Sequence, residues 1–235
     1  MKTFRRRPAL TQRSLARAVN VLTAGDQSLR SVVAAFGCPP LWERATGFPT
    51  LVYIILEQQV SLASARSAFD RLSDVGPVTP ERFLCLSDLQ LRAIGFSRQK
   101  AAYSRGLAQT LISRELNLSD LERLDDDSAR AALTALNGIG PWTADIYLLM
   151  ALCRPDVWPT GDIALLQAIQ EVKELPRRPS SAEALVIAEG WRPWRAVAAR
   201  VLWHWYLSTP RHRFLTNGTS RRGDRATQPS FVPRS

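Results

Sequence analysis

Few residues in this chain carry chemistry. One is Asp162, which closes the loop Pro155-Asp156-Val157-Trp158-Pro159-Thr160-Gly161 and directly precedes the apolar run Ile163-Ala164-Leu165. A carboxylate in that place can cap the helix that follows. Open to a substrate, it can instead stabilise a developing positive charge or take a proton from water. Taken alone, capping is the stronger reading. A second group is Leu136-Asn137-Gly138-Ile139-Gly140-Pro141-Trp142-Thr143-Ala144. Two glycines at this spacing let the backbone turn sharply and approach a ligand closely. Ile139 can anchor the turn in a core, and Pro141 suits the first position of a helix. Gly138, Ile139, Gly140 and Thr143 then bound an anion site at a helix N-terminus, able to hold a DNA phosphate through amides that read no sequence. The same glycines also fit a plain helix stop. Gln58 and Gln59 stand on an otherwise apolar segment, where amides must find partners. They line a pocket or satisfy buried backbone.

Other chemistries are excluded early. Cys38, Cys85 and Cys153 lie far apart and form no paired motif, and His204 and His212 offer no zinc spacing. No metal and no cofactor are expected. No apolar run approaches the roughly 20 residues that span a bilayer. A soluble, cytoplasmic, bacterial protein acting as a monomer, on the nucleoid while bound to DNA, is the expectation. The net charge of +10 suggests a nucleic-acid partner, but its distribution weakens the point. Residues 1–17 carry six basic groups and no acid, and residues 211–235 carry six arginines against Asp224. The ends thus hold +11 and residues 18–210 sum to about −1. Only Lys2, Lys100 and Lys173 are lysines.

The elements that position these groups read as helices nearly throughout. Apolar residues recur three and four apart in 14–22, 50–56, 62–72, 100–112, 129–136, 143–152, 163–169, 182–188 and 194–207. Asp26, Ser61, Ser87, Ser97, Asp127 and Ser180 or Ser181 are the expected N-caps. Leu91-Arg92-Ala93-Ile94-Gly95 repeats, in weaker form, the helix–hairpin–helix pattern of residues 136–140. The expected fold is all-α: a two-lobed helical bundle over 18–210 with the hairpin motif in it, a basic N-terminal segment at 1–17 and a basic tail at 211–235.

In this order and spacing, four segments resemble the helix-hairpin-helix DNA glycosylases, and most of all their 3-methyladenine (alkylbase) branch. The segments are Ile55-Leu56-Glu57-Gln58-Gln59-Val60-Ser61, then Leu91 to Ser97 with Lys100-Ala101, then Leu136 to Ala144 with Asp162, and finally Arg192-Pro193-Trp194-Arg195. The resemblance covers about residues 48–207. It implies that Asp162 is catalytic, that double-stranded DNA carrying damaged bases is the partner, and that Asp162 and the hairpin face one cleft between two lobes. It aligns Trp142 and Trp203 with pocket aromatics, with Tyr147 a further candidate and Gln58 and Gln59 beside them. Members that nick the strand carry a lysine just after the hairpin. Trp142 stands there, which implies hydrolysis without lyase chemistry. The β-rich N-terminal domain of one bacterial branch is not expected. The side chain that fills the gap left by a rotated base is sought near Phe96. An inactive DNA-binding module of this fold, or a glycosylase for an oxidised or deaminated base, are the alternatives.

Overall fold

The computed structural model describes residues 9–210; residues 1–8 and the basic tail expected at 211–235 lie outside them. All regular structure among the described residues is helical. In chain order the helices are α1 (Gln12–Gly25), α2 (Gln27–Phe36), α3 (Phe48–Glu57), α4 (Leu62–Asp74), α5 (Pro80–Cys85), α6 (Asp88–Ile94), α7 (Arg98–Ile112), α8 (Asp126–Thr134), α9 (Pro141–Met150), α10 (Ile163–Val172), α11 (Ser181–Glu189) and α12 (Arg195–Ser208). A 3-10 turn at Asp120–Glu122 precedes α8. Side-chain caps set most of the starts: Asp26, Ser61, Ser87, Ser97 and Ser180 each accept an amide of the first turn. Before α8 the cap is Asp125, two residues ahead of Asp127, because its carboxylate reaches the Ser128 amide at 2.8 Å.

The chain folds as two compact units, and the boundary falls inside α9 between Tyr147 and Leu148. Arg44–Tyr147 forms the first. Its centre is α3, apolar enough to be buried along nearly its whole length, packed on α4 and α7. Phe48, Phe83 and Phe96 meet edge-on at 5.7 and 5.5 Å, an arrangement that aromatic quadrupoles favour. The acid at the end of α3, Glu57, is buried and paired bidentately with Arg44 at 2.7 and 3.0 Å. A charge at that depth is tolerable only with such a partner.

Residues 9–43 and 148–210 make up the second unit: α1, α2, α10, α11, α12 and the end of α9. Helix α12 is its axis, buried from Ala196 through Trp203 and packed against α1, α2, α10 and α11. Within it Arg200 has no exposed surface and donates to the carbonyls of Leu41, Ala196 and Leu149 at 2.9, 3.0 and 2.7 Å. Burial pushes its guanidinium down to about 10. A second tie is Asp26. One carboxylate oxygen caps α2, while the other accepts Lys173 Nζ at 2.6 Å and the Trp191 indole N–H at 2.8 Å. Burial raises the Asp26 pKa, but the hydrogen bonds from Lys173, Trp191 and the Leu29 amide outweigh it, and the net shift is downward.

This tie predicts a pH signature. A carboxyl with a folded pKa below its unfolded value of about 3.9 stabilises the fold above that pH and loses its effect as pH falls. Asp26→Ala removes a cap and two hydrogen bonds to the carboxylate, and is expected to cost about 2–3 kcal/mol near neutrality. Urea denaturation at several pH values should show the gap to wild type constant near pH 7 and shrinking below about pH 4.

Candidate active site

The hairpin lies in the first unit, between α8 and α9. The Ile139 amide donates to the Leu136 carbonyl at 3.1 Å and closes the turn, and Ile139 itself is buried. Gly138 sits at φ +86°, a left-handed conformation that glycine adopts without penalty. A Cβ there would also overlap the Tyr103 ring. Gly140 is different: its φ is not positive, and a Cβ would meet no atom of the protein within 4 Å. The Gly140 carbonyl accepts the first helical bond of α9 from Ala144 at 3.0 Å. Among the described residues the amides of Gly138 and Gly140 have no protein acceptor. Two donors left open on either side of Ile139, beside a helix N-terminus, suit an anion.

Gln58 fixes this turn from across the unit. Its side-chain amide donates to the Gly138 carbonyl at 2.9 Å and to the Thr143 hydroxyl at 3.0 Å. Thr143 is buried with Ile139. Both therefore brace the hairpin with their side chains. Gln59 follows at φ +57° with its side chain exposed. An open groove of about 710 Å³ runs along the hairpin, lined by Gln58, Gln59, Gln99, Lys100, Tyr103 and residues 134–140. Among the described residues Lys100 is the single charged side chain along it. Its Nζ donates to the Leu56 carbonyl at the end of α3, at 2.7 Å, and burial lowers its pKa. A neutral groove with one lysine and open amides is suited to a phosphodiester. The sequence carried a signal for Lys100, one of three lysines in an arginine-rich chain, but spacing alone gave no reason to place it at the hairpin.

Trp142 stands half-buried in the first turn of α9. Tyr147, on the same helix, has no exposed surface, and its hydroxyl accepts the Gly47 amide at 3.0 Å. It is a core residue of the first unit, with burial raising its phenol pKa. Phe96, near which a duplex-filling side chain is expected, is buried between Phe83 and its neighbours and presents nothing to a ligand. The apolar surface that would have suited it to a base stack instead closes the core.

The carboxylate lies in the second unit. Gly161, at φ +82°, turns the chain, and Asp162 caps α10. Its Oδ1 accepts the Leu165 amide at 2.9 Å and the Trp203 indole N–H at 3.2 Å. Two donors from different helices thus fix the rotamer of a half-buried acid. Tyr206, one turn beyond Trp203 on α12, has its pKa raised by burial and then by the negative charges of Asp162 and Glu171, so it neighbours the same acid. Trp203 is buried and meets Trp42 edge-on, with ring centres 6.5 Å apart and planes at 67°. Sequence reasoning missed Trp42. Its one signal was a tryptophan after Pro39-Pro40 in a loop.

The chain matches the model of the HhH-GPD superfamily of base excision DNA repair proteins over residues 52–195. It is similar to a DNA-3-methyladenine glycosylase of Bacillus subtilis, 32% identical over 169 residues, covering 66% of this chain and 56% of the relative. DNA-3-methyladenine glycosylase 1 of Schizosaccharomyces pombe is 28% identical over 68% of this chain and 73% of its own. The chain spans about half the length of the two Bacillus subtilis relatives it matches. Among solved structures, the 3-methyladenine DNA glycosylase of Schizosaccharomyces pombe in complex with abasic DNA superposes with a TM-score of 0.71 at 25% identity, over 80% of this chain and 95% of that one. A DNA-3-methyladenine glycosidase from Bacillus halodurans superposes with a TM-score of 0.67 at 27% identity, over 83% and 91%.

The two hairpin glycines should separate by mutation. Gly138→Ala forces a positive φ on alanine and a clash with Tyr103, and is expected to destabilise by about 2 kcal/mol or more. Gly140→Ala meets neither obstacle and should melt within about 2 °C of wild type. Thermal denaturation of the two variants checks both.

Proposed function

This chain belongs to the HhH-GPD superfamily of base excision DNA repair proteins, and from that premise we propose that it is a monofunctional DNA glycosylase that releases alkylated purines, of the 3-methyladenine and 7-methylguanine kind, from double-stranded DNA. The observation that carries the reading is Asp162, a half-buried carboxylate held at a helix N-terminus by the Leu165 amide and the Trp203 indole. Relatives named DNA-3-methyladenine glycosylases support the substrate class.

A base inside a duplex is out of reach, so the nucleotide must rotate outward. The role assigned to the hairpin is to hold the distorted strand. The open amides of Gly138 and Gly140, with Lys100 in the same groove, suit that task because they bind phosphate without regard to sequence. The reaction breaks the bond between base nitrogen and sugar C1′, and the electron pair leaves with the base. An alkylated purine already carries positive charge, so it departs neutral and needs no proton. The sugar is left cationic, and a nearby carboxylate stabilises it. Water then adds to C1′, and Asp162 is the group assigned to take its proton. One carboxylate suffices for such a leaving group. Trp203, whose indole N–H holds Asp162, is the aromatic assigned to the pocket that receives the base, and an electron-rich ring attracts a cationic purine. Trp142 occupies the position after the hairpin where a lyase would need an amine.

Incubation with methylated duplex DNA is expected to release free methylated purines, and Asp162→Asn should lower that release by about 100-fold or more while binding to an abasic-site duplex stays within a few-fold of wild type. Full activity in the variant would refute the assignment. Binding without release by the wild type, on any lesion, would make the protein a DNA-gripping module instead. Gly140→Ala, which leaves the fold intact, should weaken duplex binding measured by fluorescence anisotropy. Borohydride treatment during turnover should trap no covalent DNA adduct.

A further inference from the structure

The groove along the hairpin has a second wall, to which α7 contributes Gln99, Lys100 and Tyr103. The turn before α7 repeats the Ile-Gly of the hairpin in sequence, but not its open donors. The amides of Gly95 and Phe96 both return to the Leu91 carbonyl, at 3.1 and 2.9 Å. What this turn brings to the groove is a row of side chains. Tyr103 is central among them. Its ring lies against the α-carbon of Gly138, where a Cβ would overlap Cγ and both Cδ atoms. The near end of the ring is thus packed on the turn, and the hydroxyl is at the far end. Gln99, exposed and one turn earlier, donates its side-chain N–H to the phenol oxygen at 2.6 Å. A phenol can donate as well as accept. Here the accepting side is filled, and among the described residues no protein group takes the O–H proton. Lys100 spends one hydrogen of its ammonium on the Leu56 carbonyl and keeps two others. Among the described residues no carboxylate lines the groove. Packing explains the ring, and phenylalanine would pack on Gly138 as well. It does not explain a hydroxyl whose proton is left to the solvent side of the groove.

Resting on the duplex-DNA reading above, we propose that Tyr103 is a DNA-backbone ligand: its hydroxyl donates to a phosphate oxygen of the strand that lies along the groove, beside Lys100. The contact comes from a side chain of α7 and adds to the main-chain amides of the hairpin. Gln99 fills the accepting side of the oxygen and so keeps the phenol proton for the ligand. A neutral donor on a charged acceptor makes a stronger bond than two neutral groups do, and it reads no base. The glycine at position 138 gains a second reason, since a larger residue would push the ring off the turn.

The test uses Tyr103→Phe, which keeps the ring on Gly138 and removes the hydroxyl alone. Binding to an abasic-site duplex, read by fluorescence anisotropy, should weaken about five- to tenfold, the range of one partly exposed hydrogen bond. An undamaged duplex of another sequence should show the same factor, because phosphates are common to both. The slope of log K against log salt should match wild type, since a neutral donor displaces no counterion. Melting temperatures should agree within about 3 °C. Single methylphosphonates, each stereoisomer in turn, are then placed along the strand. At one phosphate the two proteins should bind within about twofold of each other, because the missing oxygen and the missing hydroxyl are the two ends of one bond. A hydroxyl with only a structural role would leave the difference unchanged at every position. Equal binding of the two proteins to the unmodified duplex would overturn the proposal, and so would a changed salt slope or a difference that persists at every phosphate. Failure of the wild type to bind any duplex is a separate result. It defeats the reading of this protein as one that acts on DNA before a variant is made, and this proposal with it.

Discussion

A helix leaves its last carbonyls without partners, and a chain built of short helices meets that problem at every turn. In this protein long side chains from neighbouring helices answer it. Gln58 donates to Gly138, Lys100 to Leu56, Arg71 to Ile94, Arg105 to Leu86, and Arg200 to both Leu41 and Leu149. Each bond joins a helix end or loop to an element distant in sequence. The loops are where the candidate chemistry stands: the hairpin and the turn at Gln59. Constraints that elsewhere only satisfy backbone therefore also set the positions of the functional groups.

That field differs between the two groups of residues. Along the hairpin the groove is neutral except for Lys100, and the donors facing it are amides. Such a surface attracts a phosphodiester without the dense arginine clusters of a sequence reader, and residues 18–210 carry a charge of only about −1. Around Asp162 the sign is reversed. The Trp203 indole N–H holds its carboxylate, and Tyr206, one turn further along α12, feels its charge. Negative charge with aromatic faces suits a positive base and a positive sugar alike. The Arg44–Glu57 pair, buried and mutually neutralised, shows the contrast: a deeper acid whose charge is already paired.

Much of this was legible in the amino-acid order because it depends on local rules. Capping residues and apolar spacing located α1, α3, α4 and α7 to α12, and Asp26, Ser61, Ser87, Ser97 and Ser180 cap where their types suggest. Helix α5 escaped because six residues, Pro80–Cys85, are too few for a period to register. Before α8 the expected cap was Asp127, but in the run Asp125-Asp126-Asp127 backbone geometry chose the first acid. The hairpin glycines and Asp162 stood out by type and spacing. Trp42, Lys100 and Arg200 did not, since their roles rest on contacts 44 to 161 positions away in the chain: Lys100 with Leu56, Arg200 with Leu41, Trp42 with Trp203. Tyr147 shows the same limit from the other side. An aromatic near a hairpin can as well close a core, and only the Gly47 amide on its hydroxyl reveals which.

The two readings of Asp162, helix cap and reactive acid, turn out not to compete. A cap needs one oxygen on a first-turn amide, and here Oδ1 provides it while also taking the Trp203 indole. Those two bonds fix the side chain, so no rotamer freedom is left to lose when a substrate arrives. A freely rotating carboxylate would have to be ordered at the transition state, and that cost would fall on the rate. Capping also places the acid at the positive end of α10, where the helix dipole favours a negative charge. A helix terminus stabilises the acid through fixed dipoles and leaves its field directed outward. The commonest structural use of aspartate is in this way compatible with the catalytic role proposed for Asp162.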